Sequence, residues 1–163
     1  MQFYRGKDGI RQMLWNELSA KTDSCVFVYK EFNIAVGQNF FQTWVEQMNE
    51  RELTARELRT DLFDKDFIET DSVSVPYEGM NVRYLKYDDF PLTHGMTIYD
   101  NVVSIYNWWN DEIFGVEIYN QQVADMQRLF FETFWNMAKP VSKEKLVAHT
   151  RRSHLPTKEP KIY

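Results

Sequence analysis

Apart from its carboxylates, this sequence has few side chains able to attack, shuttle a proton or hold a metal. Its histidines are His94, His149 and His154, and its one cysteine is Cys25. Protein metal sites draw on patterns such as H-E-x-x-H on a helix or repeated C-x-x-C, and neither occurs. His149 and His154, five positions apart, would not share a helix face, so the spacing implies no metal and no cofactor. A serine nucleophile needs a G-x-S-x-G elbow, which is absent. Cys25 lies inside the apolar run Cys25–Tyr29, where a thiol behaves as an inert small hydrophobe. Gly6-x-x-Gly9 precedes a predicted helix whose first N–H groups could hold an anion. That spacing is neither a P-loop nor a dinucleotide fingerprint, and a turn with close helix packing explains it equally well. Asp88-Asp89 and Asp111-Glu112 are neighbours in predicted loops, whereas general acid–base work needs groups converging from different elements.

Aromatic residues are the other feature with chemical content. Twelve Phe, nine Tyr and five Trp make up 16% of the chain, and each buries ~150–250 Å². Trp108 and Trp109 fall in a predicted hairpin turn, beside Asn110-Asp111. Rings there can fold back over a sheet, cover a ligand pocket, or bury against a second subunit as interface residues.

The elements that would position these groups follow from hydrophobic period. Gln2–Arg5 reads as a short strand. Ile10, Met13, Leu14 and Leu18 mark one face of an amphipathic helix. Cys25–Tyr29 suits a strand buried on both faces of a parallel sheet. Gln38–Glu52 reads as a helix with Phe40, Phe41, Trp44, Val45 and Met48 inward. Thr54–Thr60 is a further strand, with Arg56 and Arg59 facing outward. This strand–helix–strand order is a βαβ unit with a right-handed crossover. Residues 61–80 are acidic and irregular, with a helical turn near Phe67. Strands follow at 81–85, Met96–Tyr99, Val102–Asn107 and Ile113–Tyr119, the Asp100-Asn101 pair forming a tight turn. Asn120 caps a long final helix carrying Val123, Met126, Phe130, Phe134 and Met137 at helical spacing, stopped by Pro140. The fold class is α/β: a mixed sheet flanked by helices, parallel βαβ units first, antiparallel hairpins next, and a long C-terminal helix.

With 163 residues the chain fits one domain, expected over residues 1–138. Residues 139–163 form a basic, Pro-containing tail, read as a solvated extension. That tail carries seven basic side chains against Glu144 and Glu159, a net of +5, which leaves −10 on residues 1–138 of a chain whose total is −5. An acidic body is a poor ligand for DNA phosphates. A lone cysteine excludes an internal disulfide. No leader pattern occurs, and no run approaches the ~20 apolar residues of a membrane span. A cytoplasmic location with no membrane partner is the expectation.

Three segments, taken together, resemble a known family. They are Tyr4-Arg5-Gly6-x-x-Gly9-Ile10 before a helix, the hairpin Ile98-Tyr99-Asp100-Asn101-x-Val103, and Gly115-Val116-Glu117-Ile118 leading into Val123-Ala124-Asp125-Met126-Gln127-Arg128-x-Phe130-x-x-x-Phe134-Trp135-x-x-Ala138. They are similar to the phospholipase-D-like effector domain of TrmB-type transcriptional regulators, across nearly all of residues 3–138. The resemblance implies a phospholipase-D-like fold and a role in sensing small molecules such as sugars. In that family the domain follows a winged helix-turn-helix. These residues have no counterpart of it, so direct DNA binding is not expected of this chain.

Active phospholipase-D-type enzymes use H-x-K-x4-D. With Asp100 as the Asp, Thr93 and Gly95 stand where His and Lys belong, and His94 is one residue out of register, which on a strand turns a side chain to the other face. Without nucleophile and lysine, covalent phosphoryl transfer has no route, so no enzyme is expected. Ligands of open α/β sheets bind beyond the carboxyl ends of the strands. That rim predicts Lys30 and Glu31, then Asp61, then Lys86, with Tyr4 and Arg5 nearby. The leading expectation is a non-catalytic sensor of a small-molecule effector, dimeric. Its alternatives are a dimerisation module using Trp108-Trp109, and a phosphodiesterase.

Overall fold

The computed structural model describes residues 1–61, 73–109 and 112–148. The helical turn expected near Phe67, the Asn110-Asp111 turn and the tail from His149 onward lie outside the described residues.

Strand β1 (Gln2–Arg5) leads into helix α1 (Gly6–Glu17), and β2 (Ser24–Phe27) follows. Helices α2 (Phe32–Val36) and α3 (Gln38–Glu50) precede β3 (Ala55–Thr60). Next come β4 (Val73–Val75), β5 (Met80–Leu85), β6 (Gly95–Tyr99), β7 (Val102–Trp109) and β8 (Glu112–Tyr119). Helix α4 (Gln121–Met137) precedes the short strands β9 (Lys139–Pro140) and β10 (Leu146–Ala148). The sheet runs β1-β8-β7-β6-β2-β3-β5-β9, and β4 pairs with β10 apart from it. Strands β2, β3 and β5 are parallel, whereas β6, β7, β8 and β1 continue as antiparallel neighbours. The βαβ unit and the hairpins therefore stand where the hydrophobic patterns place them.

Each face of the sheet has its own core. Ile10, Met13 and Leu14 of α1 and Trp44, Val45 and Met48 of α3 pack on Val26, Val28, Val82 and Tyr106. On the other face, Ala124, Phe131 and Trp135 of α4 pack on Cys25, Phe27, Leu58, Ile98 and Val103. Alternation along β2 explains why every residue in it is buried: it is a central strand with helices on both sides. Gly115 lets α1 approach β8, because a Cβ there would lie 2.1 Å from the Met13 sulfur.

Three differences from the sequence reading have physical causes. The inward side of α4 is Ala124, Phe131 and Trp135, while Met126, Phe130 and Met137 are exposed. Both sets keep helical spacing, so period alone cannot choose the face. Small Ala124 admits the helix to the sheet, and Arg56 and Arg83 lie 5.5 and 4.6 Å from the Trp135 ring. Arg59 is buried, not outward, because Glu57, two residues before it on the same strand face, neutralises it. The chain also stays in the fold past Pro140: β9 pairs with β5, β10 pairs with β4, and Val141 is buried.

Asn120 caps α4 as its type predicts, its side-chain oxygen accepting from the Val123 N–H at 3.0 Å. At the β6–β7 turn Asp100 has a φ of 46°. Its carboxylate accepts from the Lys21 N–H at 3.0 Å and the Thr22 hydroxyl at 3.1 Å. Among the described residues no helix is long and apolar enough to cross a membrane.

Candidate functional site

Strand β6 separates the positions that the H-x-K-x4-D pattern would use. Thr93 and His94 precede it and Asp100 follows it, with the five residues of β6 between them; at ~3.3 Å per residue His94 and Asp100 stand roughly 20 Å apart. Asp100 is thus occupied in tying the turn to Lys21 and Thr22. His94 is exposed, with Nδ1 3.3 Å from the Thr93 hydroxyl.

At position 95 the missing side chain is a requirement of the packing. A Cβ on Gly95 would fall 1.9 Å from Cε2 of Tyr106, whose ring lies over it from the paired position on β7. Tyr106 is fixed there by a 3.1 Å hydrogen bond between its hydroxyl and that of Thr97. Its ring stacks on Trp108, with centroids 5.8 Å apart and planes 6° apart. Phe32 closes on both rings at 4.9 and 5.5 Å, and Tyr29 on Trp108 at 5.2 Å. The Tyr29 hydroxyl accepts the Trp108 N–H at 2.8 Å. These four rings form a plug at this end of β6 and β7. Burial drives the Tyr106 hydroxyl well above the usual tyrosine range, so this phenol keeps its proton at neutral pH.

Trp108 lies within β7 rather than in a turn, and it is 7% exposed. It belongs to the core and presents no surface to a partner. Trp109 ends the same strand; its side chain lies outside the described residues.

Beside the plug, between α2–α3 and the carboxyl ends of β2 and β3, is a cavity of about 320 Å³. Such a volume matches the lower range of small-molecule pockets. Its apolar wall is Val28, Val45, Phe41 and Pro76, and Phe32 stands between it and the plug. Polar groups converge from four elements: Lys30 and Glu31 after β2, Asn33 on α2, Gln38 and Gln42 on α3, and Glu57 and Arg59 on β3. The buried pair holds Arg59 Nε 2.5 Å from Glu57 Oε1. Arg59 Nη1 also donates to the Ser74 carbonyl at 2.9 Å, tying β4 to the pocket floor. Lys30 Nζ sits 5.5 Å from the Tyr29 ring centre. The Asn33 amide donates to Gln38 Oε1 at 3.2 Å, and its buried oxygen accepts no hydrogen bond among the described residues.

The rim residues predicted from sequence divide accordingly. Lys30 and Glu31 line the cavity. Asp61 and Lys86 follow β3 and β5 at the same end of the sheet, but Asp61 is used in accepting the Tyr87 N–H at 2.8 Å and neither residue lines the pocket. Tyr4 and Arg5 are not nearby. Strand β1 pairs with β8 at the far edge of the sheet, four strand spacings from β2, or roughly 19 Å. There Tyr4 donates to Glu117 at 2.6 Å. Glu117 also accepts from Asn16, Tyr99, Ser104 and Tyr119, so this fully buried carboxylate is satisfied by neutral donors.

Glu57, Arg59, Asn33, Gln38 and Gln42 escaped the sequence reading. One signal for the first two was present: opposite charges at i and i+2 share one face of a strand. The amides had none, since Gln38 and Gln42 look like any polar helix surface. Among the described residues no cluster of three His, Cys, Asp or Glu side chains could hold a metal ion.

No protein-family model matches the chain, and no curated protein sequence does. Solved structures do match. The chain superposes on TrmBL2, an archaeal chromatin protein whose structure shows a novel mode of DNA binding, with a TM-score of 0.56 and 15% identity over 86% of its own length; it spans 53% of that protein, about half. It matches Nuc from Salmonella typhimurium, a phospholipase D family member, with a TM-score of 0.58 and 15% identity over 85% of this chain and 95% of that one. NucT from Helicobacter pylori gives a TM-score of 0.55 and 10% identity over 85% and 97% of the two chains. At such identities the likeness is one of fold, and the fold is phospholipase-D-like.

Proposed function

We propose that this phospholipase-D-like domain works without phosphoryl transfer, as a regulatory domain that binds a small polar molecule in the pocket between α2–α3 and β2–β3. The observation that carries the reading is that pocket, with a buried Glu57–Arg59 pair on its floor and Lys30 and Glu31 at its mouth. Its charges balance, two cations against two anions, and its remaining polar groups are three side-chain amides and Ser74. A neutral or zwitterionic ligand rich in hydroxyl or amide groups suits such a site better than a multiply charged phosphoester. Phe32 and Phe41 would cover its apolar face.

The tyrosine ring over Gly95 supports the non-catalytic half of the reading, since a phospholipase-D-type lysine has no room at that position. The likeness to TrmBL2 supports the regulatory half.

Titration calorimetry with monosaccharides and disaccharides, amino acids, nucleosides and inorganic phosphate tests the proposal. A hydroxyl- or amide-rich ligand should bind, and the double variant Lys30→Ala, Gln42→Ala should lose at least about tenfold in affinity. Absence of binding across all these classes would refute ligand sensing. Hydrolysis of a generic phosphodiester that His94→Ala abolishes would refute the non-catalytic reading.

A further inference from the structure

Two acceptors lining the pocket lack a donor among the described residues. Glu57 bonds Arg59 Nε through Oε1, and no donor among the described residues reaches its second oxygen. The Asn33 amide nitrogen is taken by Gln38 Oε1, which leaves Asn33 Oδ1 closed to solvent and unbonded among those residues. A buried acceptor in that state costs free energy that a donor brought in by a ligand recovers. Lys30 and Glu31, one of each sign, stand at the mouth, and Gln38 and Gln42 also line the cavity. Those two carboxamides are one helical turn apart on α3 and share a face of it. Phe41, Val45 and Pro76 supply a strip of apolar side chains.

We propose that the ligand is a free α-amino acid with a carboxamide side chain, of the size of asparagine or glutamine; this rests on the sensing role argued above. Its α-ammonium group donates to Glu57 and Asn33, the two acceptors in want of a donor. Its α-carboxylate pairs with Lys30. The side-chain carboxamide matches Gln38 and Gln42, because one amide accepts from another through its oxygen and donates to it through its nitrogen. The methylene groups lie on Phe41 and Val45. Other chemistries use less of the site. A sugar brings donors but no charge for Lys30 and Glu31 to read. Phosphate brings its charge against Glu31 and Glu57, and glutamate sets a second carboxylate against the same two groups. A cavity of about 320 Å³ is at the small end of ligand pockets and suits a molecule of this size.

Titration calorimetry on the full chain with L-glutamine and L-asparagine tests the proposal. The comparison compounds are L-glutamate, norvaline, which has a methyl group for the carboxamide, and glutaramic acid, which is glutamine without its α-amino group. Glutamine or asparagine should bind at least about tenfold more tightly than any of the three, since each loses or opposes a hydrogen bond to a charged or buried group. Asn33→Ala should lower glutamine binding to the level of glutaramic acid, whose own binding it leaves unchanged. Gln42 is exposed, so Gln42→Leu keeps the fold, and it should erase the preference for glutamine over norvaline. A sugar or nucleoside that binds more tightly than both amide amino acids overturns the assignment and leaves a sensing domain standing. Equal losses for glutamine and glutaramic acid in Asn33→Ala overturn it too. No binding by any of these compounds removes the assignment and the sensing role together.

Discussion

Glu17 offers a quantitative test of the packing on the α1 face. It is 5% exposed, at the C-terminal end of α1. Burial pushes its carboxyl up from 4.5 to about 7; the nearby Glu57 and Glu117 push the same way, and a hydrogen bond with the Ser24 side chain works against them. In the unfolded chain the group returns to the ordinary glutamate range. A group raised on folding stabilises the native state fully below its unfolded value, and this contribution is lost as pH climbs through the folded value. Stability should therefore fall between pH ~4.5 and pH ~7. A difference of about 2.5 pH units, at ~1.4 kcal/mol each, amounts to about 3 kcal/mol. For a chain of this size that is roughly 6–12 °C in Tm. Glu132, held below the usual range by Arg56, slopes the other way, so the parent profile alone mixes the two. Glu17→Gln isolates the effect, since it keeps the volume and removes the charge. Urea unfolding from pH 4 to pH 8.5 should give parent and variant similar stability at the acid end. The variant should gain steadily to about 3 kcal/mol at the alkaline end. Parallel profiles across that range would show that Glu17 reaches water and that the burial argument fails.

The pocket floor and the plug make further predictions. Arg59→Ala strands Glu57 in the interior and should cost about 3–5 kcal/mol of unfolding free energy, read by urea titration; Glu57→Gln, which keeps an acceptor, should cost less. Gly95→Ala meets the Tyr106 ring and should lower stability by about 1–3 kcal/mol, whereas Gly95→Ala in a Tyr106→Ala background should add little further loss, and a full second penalty would disprove the contact. Asn120→Ala removes the N-cap of α4 and should cost about 1 kcal/mol, measured as a shift in thermal midpoint.

Much of the architecture was legible because period and punctuation report it directly. The run Cys25–Tyr29 has no polar alternate, so it had to be central; Asp100-Asn101 had to be a turn between strands; Asn120 had to begin a helix. The orientation of α4 was only half legible, because Met126, Phe130 and Met137, which are exposed, obey the same period as Ala124, Phe131 and Trp135. Only contact with the sheet decides between them. For the site, reasoning from strand ends located Lys30 and Glu31, since they follow a strand identified with its direction. It misplaced Tyr4 and Arg5 because strand order is a long-range property: β1 pairs with β8, 113 residues along from Tyr4 to Glu117, and no local pattern encodes that. Arg59 looked like surface because a guanidinium is rarely buried unless paired, and the pairing becomes visible only when Glu57 and Arg59 are read as one face.

The plug and the pocket are best understood as one construction. Phe32, on the short helix after β2, touches Tyr106 and Trp108 on one side and, 6.5 Å away, Trp44 on the other. Trp44 in turn is anchored to α1 by its indole N–H, which donates to the Leu14 carbonyl at 2.9 Å. The rings that close over Gly95 therefore also hold α2 and α3 at the distance from β2 and β3 that leaves the neighbouring cavity open. A lysine at position 95 would displace Tyr106 and with it the support for Phe32. A side chain at position 95 and the aromatic support of Phe32 therefore compete for the same space, and in this sequence the Tyr106 ring holds it.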